Sequence, residues 1–215
     1  MISVGHYIPS YRPPHRLVTE QVGREGWNLG RAGIEYIPST DCIGDIVIAR
    51  NDAIHAAIDA GIDYLVMQDS DNYCPHPRGA ILPMLETAAK HKATMVAAVV
   101  GLRQNPPRGN VEPPQLGGVY KATRAGTGLV LIDVARVRDW GHDGAFFMNV
   151  YDKHGRKKEP GQDIYFSRLL EQYGGELWAD ARIPTRHVQE DHESLFFPGS
   201  ATASGHSQAM AHGSR

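Results

Sequence analysis

Residues 64–75 read YLVMQDSDNYCP: an apolar run from Tyr64 to Met67 enters two aspartates one residue apart, and Asn72, Pro75 and Pro77 then stop it. Placing two carboxylates at the end of a buried strand is costly unless something positive neutralises them. If the strand continues through Asp69 and Asp71, both side chains point to one side. There each raises the other's pKa unless a cation intervenes. A hard divalent ion resolves the conflict, because Mg²⁺ commonly takes one or two carboxylates together with substrate phosphates. The competing reading is a turn that closes the strand, since Asp, Ser and Asn are all turn formers.

Upstream, Asp41 to Gly61 reads as a helix with Ile46, Ala53, Ile54 and Ala57 on one stripe and Gly61 at the position of a C-terminal cap. Arg50 falls inside that stripe, where it must find an anion or reach water. A diphosphate would satisfy it; so would an internal salt bridge to Asp45 or Asp69. The first strand is Ile2 to Ile8, ended by Pro9 and SYRPPHR. Downstream, a helix from Ile81 to His91 precedes a continuous apolar strand, Ala93 to Val100. Short apolar strands alternating with helices predict a largely parallel sheet covered on both faces. Ligands of such sheets gather outside the carboxyl ends of the strands, where Asp69 and Asp71 fall.

The second half differs. Leu102 to Gly118 contains Pro106, Pro107, Pro113 and Pro114 and predicts a long irregular loop. AGTGLVLIDV (Ala125–Val134), AFFMNVYD (Ala145–Asp152) and the basic, hairpin-like KHGRKK follow, then a helix from Gly161 to Tyr173 and a strand from Glu176 to Ala179. Asp163 stands in the first turn of that helix, at the head of the stripe Phe166, Leu170, Tyr173. The helix dipole favours a carboxylate there, and capping is the competing role; the stripe turns its side chain toward the sheet. His187 follows the last strand. Beside two carboxylates it would complete a mixed N/O site suited to Mn²⁺ or Mg²⁺, with His192 as a competing ligand.

Composition narrows the function. With 41% hydrophobic and 21% charged residues and a formal net charge of -2, nothing global selects nucleic acid or an anionic membrane as partner. The longest apolar run, Thr94 to Leu102, is too short to span a bilayer. No secretory signal is visible, and the two cysteines, Cys42 and Cys74, form no CxxC pair; a reduced, cytoplasmic protein is expected. Residues 1–198 are expected to form a single folded domain of two halves, 1–100 and 101–198. The Gly/Ser/Ala-rich residues 199–215 are expected to be a flexible tail.

The ordered set IPSYRPP, IGDIVIARNDAIHAAIDAGIDYLVMQDSD, AGTGLVLID, EPGQDIYFSRLLEQYGGELWAD and the following His187 resembles a GT-A glycosyltransferase of the family 2 type, over Met1 to about Gln189. The resemblance implies a Rossmann-like α/β fold with a mixed, mostly parallel sheet flanked by helices. It implies a metal-dependent enzyme that moves a sugar from a UDP- or GDP-sugar to a hydroxyl acceptor with inversion. Pro9, Ser10, Tyr11 and Arg12 would line the base and ribose pocket, and Arg50 would approach the ribose or diphosphate. Asp69 would contact the ribose or the Mn²⁺ or Mg²⁺ ion, with Asp71 and His187 as metal ligands. Gly126 and Gly128 would allow close backbone approach to the donor sugar, and Asp163 would be the general base. Where the family often has two acids at the catalytic helix start, this chain has Gln162-Asp163.

The QxxRW-type motif of processive synthases is absent. Two alternatives stay open: a nucleotidyltransferase-like enzyme, although the glycine-rich loop such enzymes place after the first strand is missing, and a non-catalytic nucleotide-sugar or carbohydrate-binding module. The acceptor is a glycan, a small molecule or modified DNA. Trp140, Phe146 and Phe147 could form a stacking platform or a buried aromatic core. Lys153, Arg156, Lys157 and Lys158 could dock a phosphate-rich acceptor or form a solvated loop.

Overall fold

The computed structural model describes residues 1–10, 13–42, 45–102, 108–115, 117–151, 161–188 and 193–194. The chain begins with β1 (Ser3–Ser10), α1 (Arg16–Arg31), β2 (Glu35–Cys42), α2 (Ile46–Asp59) and β3 (Tyr64–Gln68). It continues through β4 (Asn72–Tyr73), α3 (Ile81–His91), β5 (Met95–Ala98), β6 (Gly101–Leu102), β7 (Arg108–Gly109) and β8 (Val111–Glu112). Then come β9 (Val119–Lys121), β10 (Arg124–Ala125), β11 (Leu129–Asp133), α4 (Val134–Arg138), α5 (Gln162–Gln172), β12 (Leu177–Asp180), β13 (Arg186–Val188) and β14 (Glu193–Ser194).

Seven strands form the central sheet in the order β2-β1-β3-β11-β5-β12-β9. β1 pairs in parallel with β2 and β3, and β5 with β12. β11 runs antiparallel to both its neighbours, and β9 antiparallel to β12. The sheet is therefore mixed and mostly parallel, as expected. Period-2 alternation supplies both faces with apolar side chains. Leu65 and Met67 point into a layer with Ala49, Ile54 and Ala57 of α2 and Phe166 and Leu170 of α5. Val66 points the other way, among Val4, Leu29 of α1 and Met84 of α3.

One expectation needs correction, and two open alternatives are decided. The helix expected from Asp41 starts at Ile46, because the chain is still in β2 through Cys42 and Asp45 forms the N-cap, accepting from Val47 N at 2.7 Å. Between continuation of the strand through Asp69 and Asp71 and a turn that closes it, the turn is observed: β3 ends at Gln68, and Asn72 N donates to Asp69 O at 3.1 Å. Of the two readings of the aromatics, the buried core is the one observed: Phe146 and Phe147 are fully buried and Trp140 is half-buried against Tyr173. Among the described residues, no helix is long and apolar enough to cross a membrane. The expected tail, the basic run Lys153–Lys158 and His192 lie outside the described residues.

Candidate functional site

Direction of travel assembles the site. β1, β3, β5 and β12 all end at one edge of the sheet, and an antiparallel strand must begin where its neighbours end. β11 therefore delivers Thr127 and Gly128, just before Leu129, to the edge where β3 delivers Asp69. Their backbones join there: Asp69 N donates to Gly128 O at 2.9 Å. α2 follows β2 and α5 precedes β12, so both helices begin at this edge.

Arg50 is the hub. It lies on the inner face of α2, only 3% exposed, too deep to reach water. Its Nη2 donates to Asp69 Oδ1 at 2.7 Å and its Nη1 to Asp163 Oδ1 at 2.8 Å. Of the proposed partners, the internal salt bridge to Asp69 is present; Asp163 is a second one that sequence reasoning did not pair with it. The guanidinium also sits 5.8 Å from the centre of the Phe147 ring. Arg50 Nε finds no acceptor among the described residues. The Asp69 and Asp163 side chains remain about one-third exposed, at 32% and 35%, so the pair is reachable from outside while the guanidinium is not.

Asp163 enters from the first turn of α5. Its Oδ1 also accepts from Thr127 Oγ1 at 2.6 Å. Among the described residues its Oδ2 takes no hydrogen bond, so the carboxylate is anchored by one oxygen and presents the other. Burial pushes the Asp69 carboxyl above the ordinary carboxylate range. The nearby Asp163 and Asp71 push the same way, against the pull of Arg50.

Asp71, 42% exposed, faces His187 of β13, with Oδ1 3.9 Å from Nε2. His187 Nδ1 lies 2.7 Å from Gly101 O. A carbonyl can only accept, so Nδ1 is the donor in this contact and Nε2 is the nitrogen on the side of Asp71. A metal-binding histidine is commonly oriented in this way. The three expected ligands are not gathered into one cluster, and among the described residues no group of three or more His, Cys, Asp or Glu could hold a metal ion. A pair nevertheless fits an ion that completes its shell with phosphate oxygens.

The other expected residues fall as follows. Pro9 and Ser10 end β1 at the site edge, buried; Tyr11 and Arg12 lie outside the described residues. Gly126 is crowded by Asn110, and a Cβ on Gly128 would meet Asn72 Nδ2 at 2.7 Å. At Gly128 a buried side chain would have to shift, whereas at Gly126 Asn110 need give only a few tenths of an ångström. Two residues carry the site without having been singled out from sequence. Thr127 was visible only as the middle of GTG. Asn51 accepts from Phe146 N and Phe147 N at 2.7 and 2.9 Å and donates to Phe147 O, which fixes the Phe147 ring beneath Arg50.

Fold and site together define a mixed α/β protein with a group of carboxylates at the carboxyl edge of its sheet. No family model and no curated protein matches the chain. Among solved structures it is similar to A197 from STIV, at 14% identity over 88% of this chain and 87% of that one, with a TM-score of 0.58. Looser likenesses include UDP-glucose pyrophosphorylase complexed with UDP-glucose (11% identity, 93% and 94% covered, TM-score 0.48). A glycosyltransferase involved in the glycosylation of the major capsid of PBCV-1 is looser again (11%, 64% and 63%, TM-score 0.39). The likeness to A197 is one of fold, and identities this low transfer no activity.

Proposed function

We propose that the chain is a nucleotide-sugar transferase, and that it moves a glycosyl group from a nucleotide-diphosphate sugar to an acceptor hydroxyl. One observation carries this reading: three carboxylates, Asp69, Asp71 and Asp163, converge at the carboxyl edge of the sheet, two of them joined by the buried guanidinium of Arg50. Such a gathering of carboxylates suits a divalent cation that brings phosphates with it. Asp71 and His187 would hold Mn²⁺ or Mg²⁺, whose part when bound is to neutralise the leaving diphosphate.

The chain's own residues supply the rest. Arg50 and Thr127 fix Asp163 Oδ1, which leaves Oδ2 to accept the proton of the attacking hydroxyl. Asp163 is thus oriented before substrate arrives, and no reorganisation is needed at the moment of transfer. Arg50, already committed to two carboxylates, keeps Asp69 and Asp163 in one arrangement. Pro9 and Ser10 stand at the same edge, where a nucleotide's base and ribose would lie.

The test is turnover with UDP-, GDP-, CDP- and TDP-sugars, each with and without Mn²⁺ or Mg²⁺. Release of nucleoside diphosphate should require the metal. Asp71→Ala should abolish metal-dependent nucleotide binding, while Asp163→Asn should bind the donor and fail to transfer. Pyrophosphate release from a nucleoside triphosphate and a sugar phosphate would assign nucleotidyl transfer instead. Near wild-type transfer by Asp163→Asn would remove Asp163 from the chemistry.

A further inference from the structure

The turn that carries Asp69 and Asp71 is held at each of its carbonyls. Asp69 O accepts from Asn72 N at 3.1 Å, Ser70 O from His15 N at 3.1 Å, and Asp71 O from Val188 N of β13 at 2.7 Å. The fourth, Asn72 O, is held by a side chain: Gln68 Nε2 donates to it at 2.5 Å. Gln68 is the last residue of β3. Strand alternation sends its side chain to the face opposite Asp69, into the layer beneath α1.

A chain of buried polar groups backs it there. Gln68 and Gln21 of α1 exchange amide hydrogen bonds at 3.1 and 3.3 Å. Gln21 Oε1 also accepts from Cys74 N at 2.7 Å, and Gln21 Nε2 donates to Glu25 Oε1 at 3.2 Å. Glu25 in turn accepts from Ala80 N at 2.6 Å and Ile81 N at 3.4 Å, at the start of α3. Gln21, Glu25, Gln68 and Asn72 are each 1% exposed or less. Inside a layer of Val, Leu, Ile and Met, such groups are costly unless their hydrogen bonds are satisfied. Packing α1 on the sheet does not require them, because leucine at 21 and 68 would bury more apolar area. What they share is where they lead: along α1 and α3 to the two ends of the segment Asp69–Ala80.

We propose that Gln68 is a positioning residue, backed by Gln21 and Glu25, that holds the Asp69–Asp71 turn so that Asp71 stands against His187 in the arrangement that receives a metal–nucleotide ligand. The identity of that ligand rests on the function proposed above; the hold on the turn does not. Removing the donor frees Asn72 O and loosens the turn, leaving the bond from Val188 N to Asp71 O to hold Asp71 against His187.

The experiment is Gln68→Met, close in volume and unable to donate, read in two ways. Amide exchange followed by NMR at His15, Asn72 and Val188, whose N–H groups bond the other three turn carbonyls, should accelerate about tenfold, the expected effect of one lost buried hydrogen bond. Amides in the middle of α5 and β1 should exchange as in the wild type. The affinity for Mn²⁺ in the presence of UDP or GDP, from the free-ion EPR signal, should fall about tenfold or more, as for other residues that orient ligands. Unchanged exchange at the three amides in a folded variant overturns the proposal. So does accelerated exchange with undiminished Mn²⁺ affinity. A wild-type protein that binds no Mn²⁺ with either nucleotide sinks the functional reading instead, and the exchange data alone then decide whether Gln68 holds the turn. If Gln68→Met fails to fold, Gln21→Leu, which leaves the Gln68–Asn72 bond in place, carries the same expectation at smaller size.

Discussion

Replacing Arg50 by methionine tests the centre of the site, because methionine fills the volume and removes the charge. In the folded protein Arg50 is 3% exposed and makes two charge-assisted hydrogen bonds, at 2.7 and 2.8 Å. Breaking a fully buried ion pair costs about 3–5 kcal/mol, because the partner charge is left uncompensated. Here the partners are about one-third exposed and water recovers part of that, so the lower end, about 3 kcal/mol, is expected. For a domain of this size that corresponds to a Tm lower by about 6–12 °C.

The pH dependence gives the same experiment a sign. Asp69 already has a raised carboxyl pKa in the folded state, with Arg50 opposing the rise. A raised pKa means that the folded state binds more protons than the unfolded one between the two pKa values. Its contribution to stability is therefore largest at low pH and is lost as pH rises through the folded pKa. Without Arg50 the folded pKa climbs further, and the variant should regain stability relative to wild type on going from neutral to acidic pH. Urea denaturation at a neutral and an acidic pH measures this. A loss under about 1 kcal/mol, or the same loss at both values, would refute the assignment of Arg50 as the charge that holds Asp69 and Asp163 together.

Two further substitutions probe the same edge. Gly128→Ala places a methyl 2.7 Å from Asn72 Nδ2; the buried Asn72 must shift, and a stability loss of about 1–3 kcal/mol is expected, with a Tm equal to wild type as the contrary result. Thr127→Val removes the 2.6 Å bond to Asp163 Oδ1 and should lower kcat about tenfold with little change in KM, while Thr127→Ser stays near wild type. Steady-state kinetics that show equal losses for both variants would take the hydroxyl out of the mechanism.

The sequence was most legible where local pattern and tertiary environment agree. The apolar run of β3 leads into aspartates at the carboxyl edge of the sheet, Arg50 lies in a buried helical stripe, and Asp163 begins a helix: each follows from periodicity and neighbouring residues alone. The segment from Arg16 to Cys42 was illegible for a physical reason. The inner face of α1 is Val18, Gln21, Glu25 and Leu29, a helical spacing disguised because two of the four are polar. β2, an edge strand with Pro38 at its middle, lacks the apolar run of a central strand.

What only the tertiary structure decided is which charges meet. Arg50 and Asp163 are separated by 113 positions, and no local pattern couples them. Their pairing depends on β11 running against its neighbours, which brings Thr127 and Gly128 to the edge where β3 ends. Residue types and spacing determined that carboxylates and a guanidinium would stand at strand and helix ends. The reversal of one central strand, with the depth to which α2 buries Arg50, determined that one guanidinium would join two of the three carboxylates and that a buried glutamine would hold the turn between them.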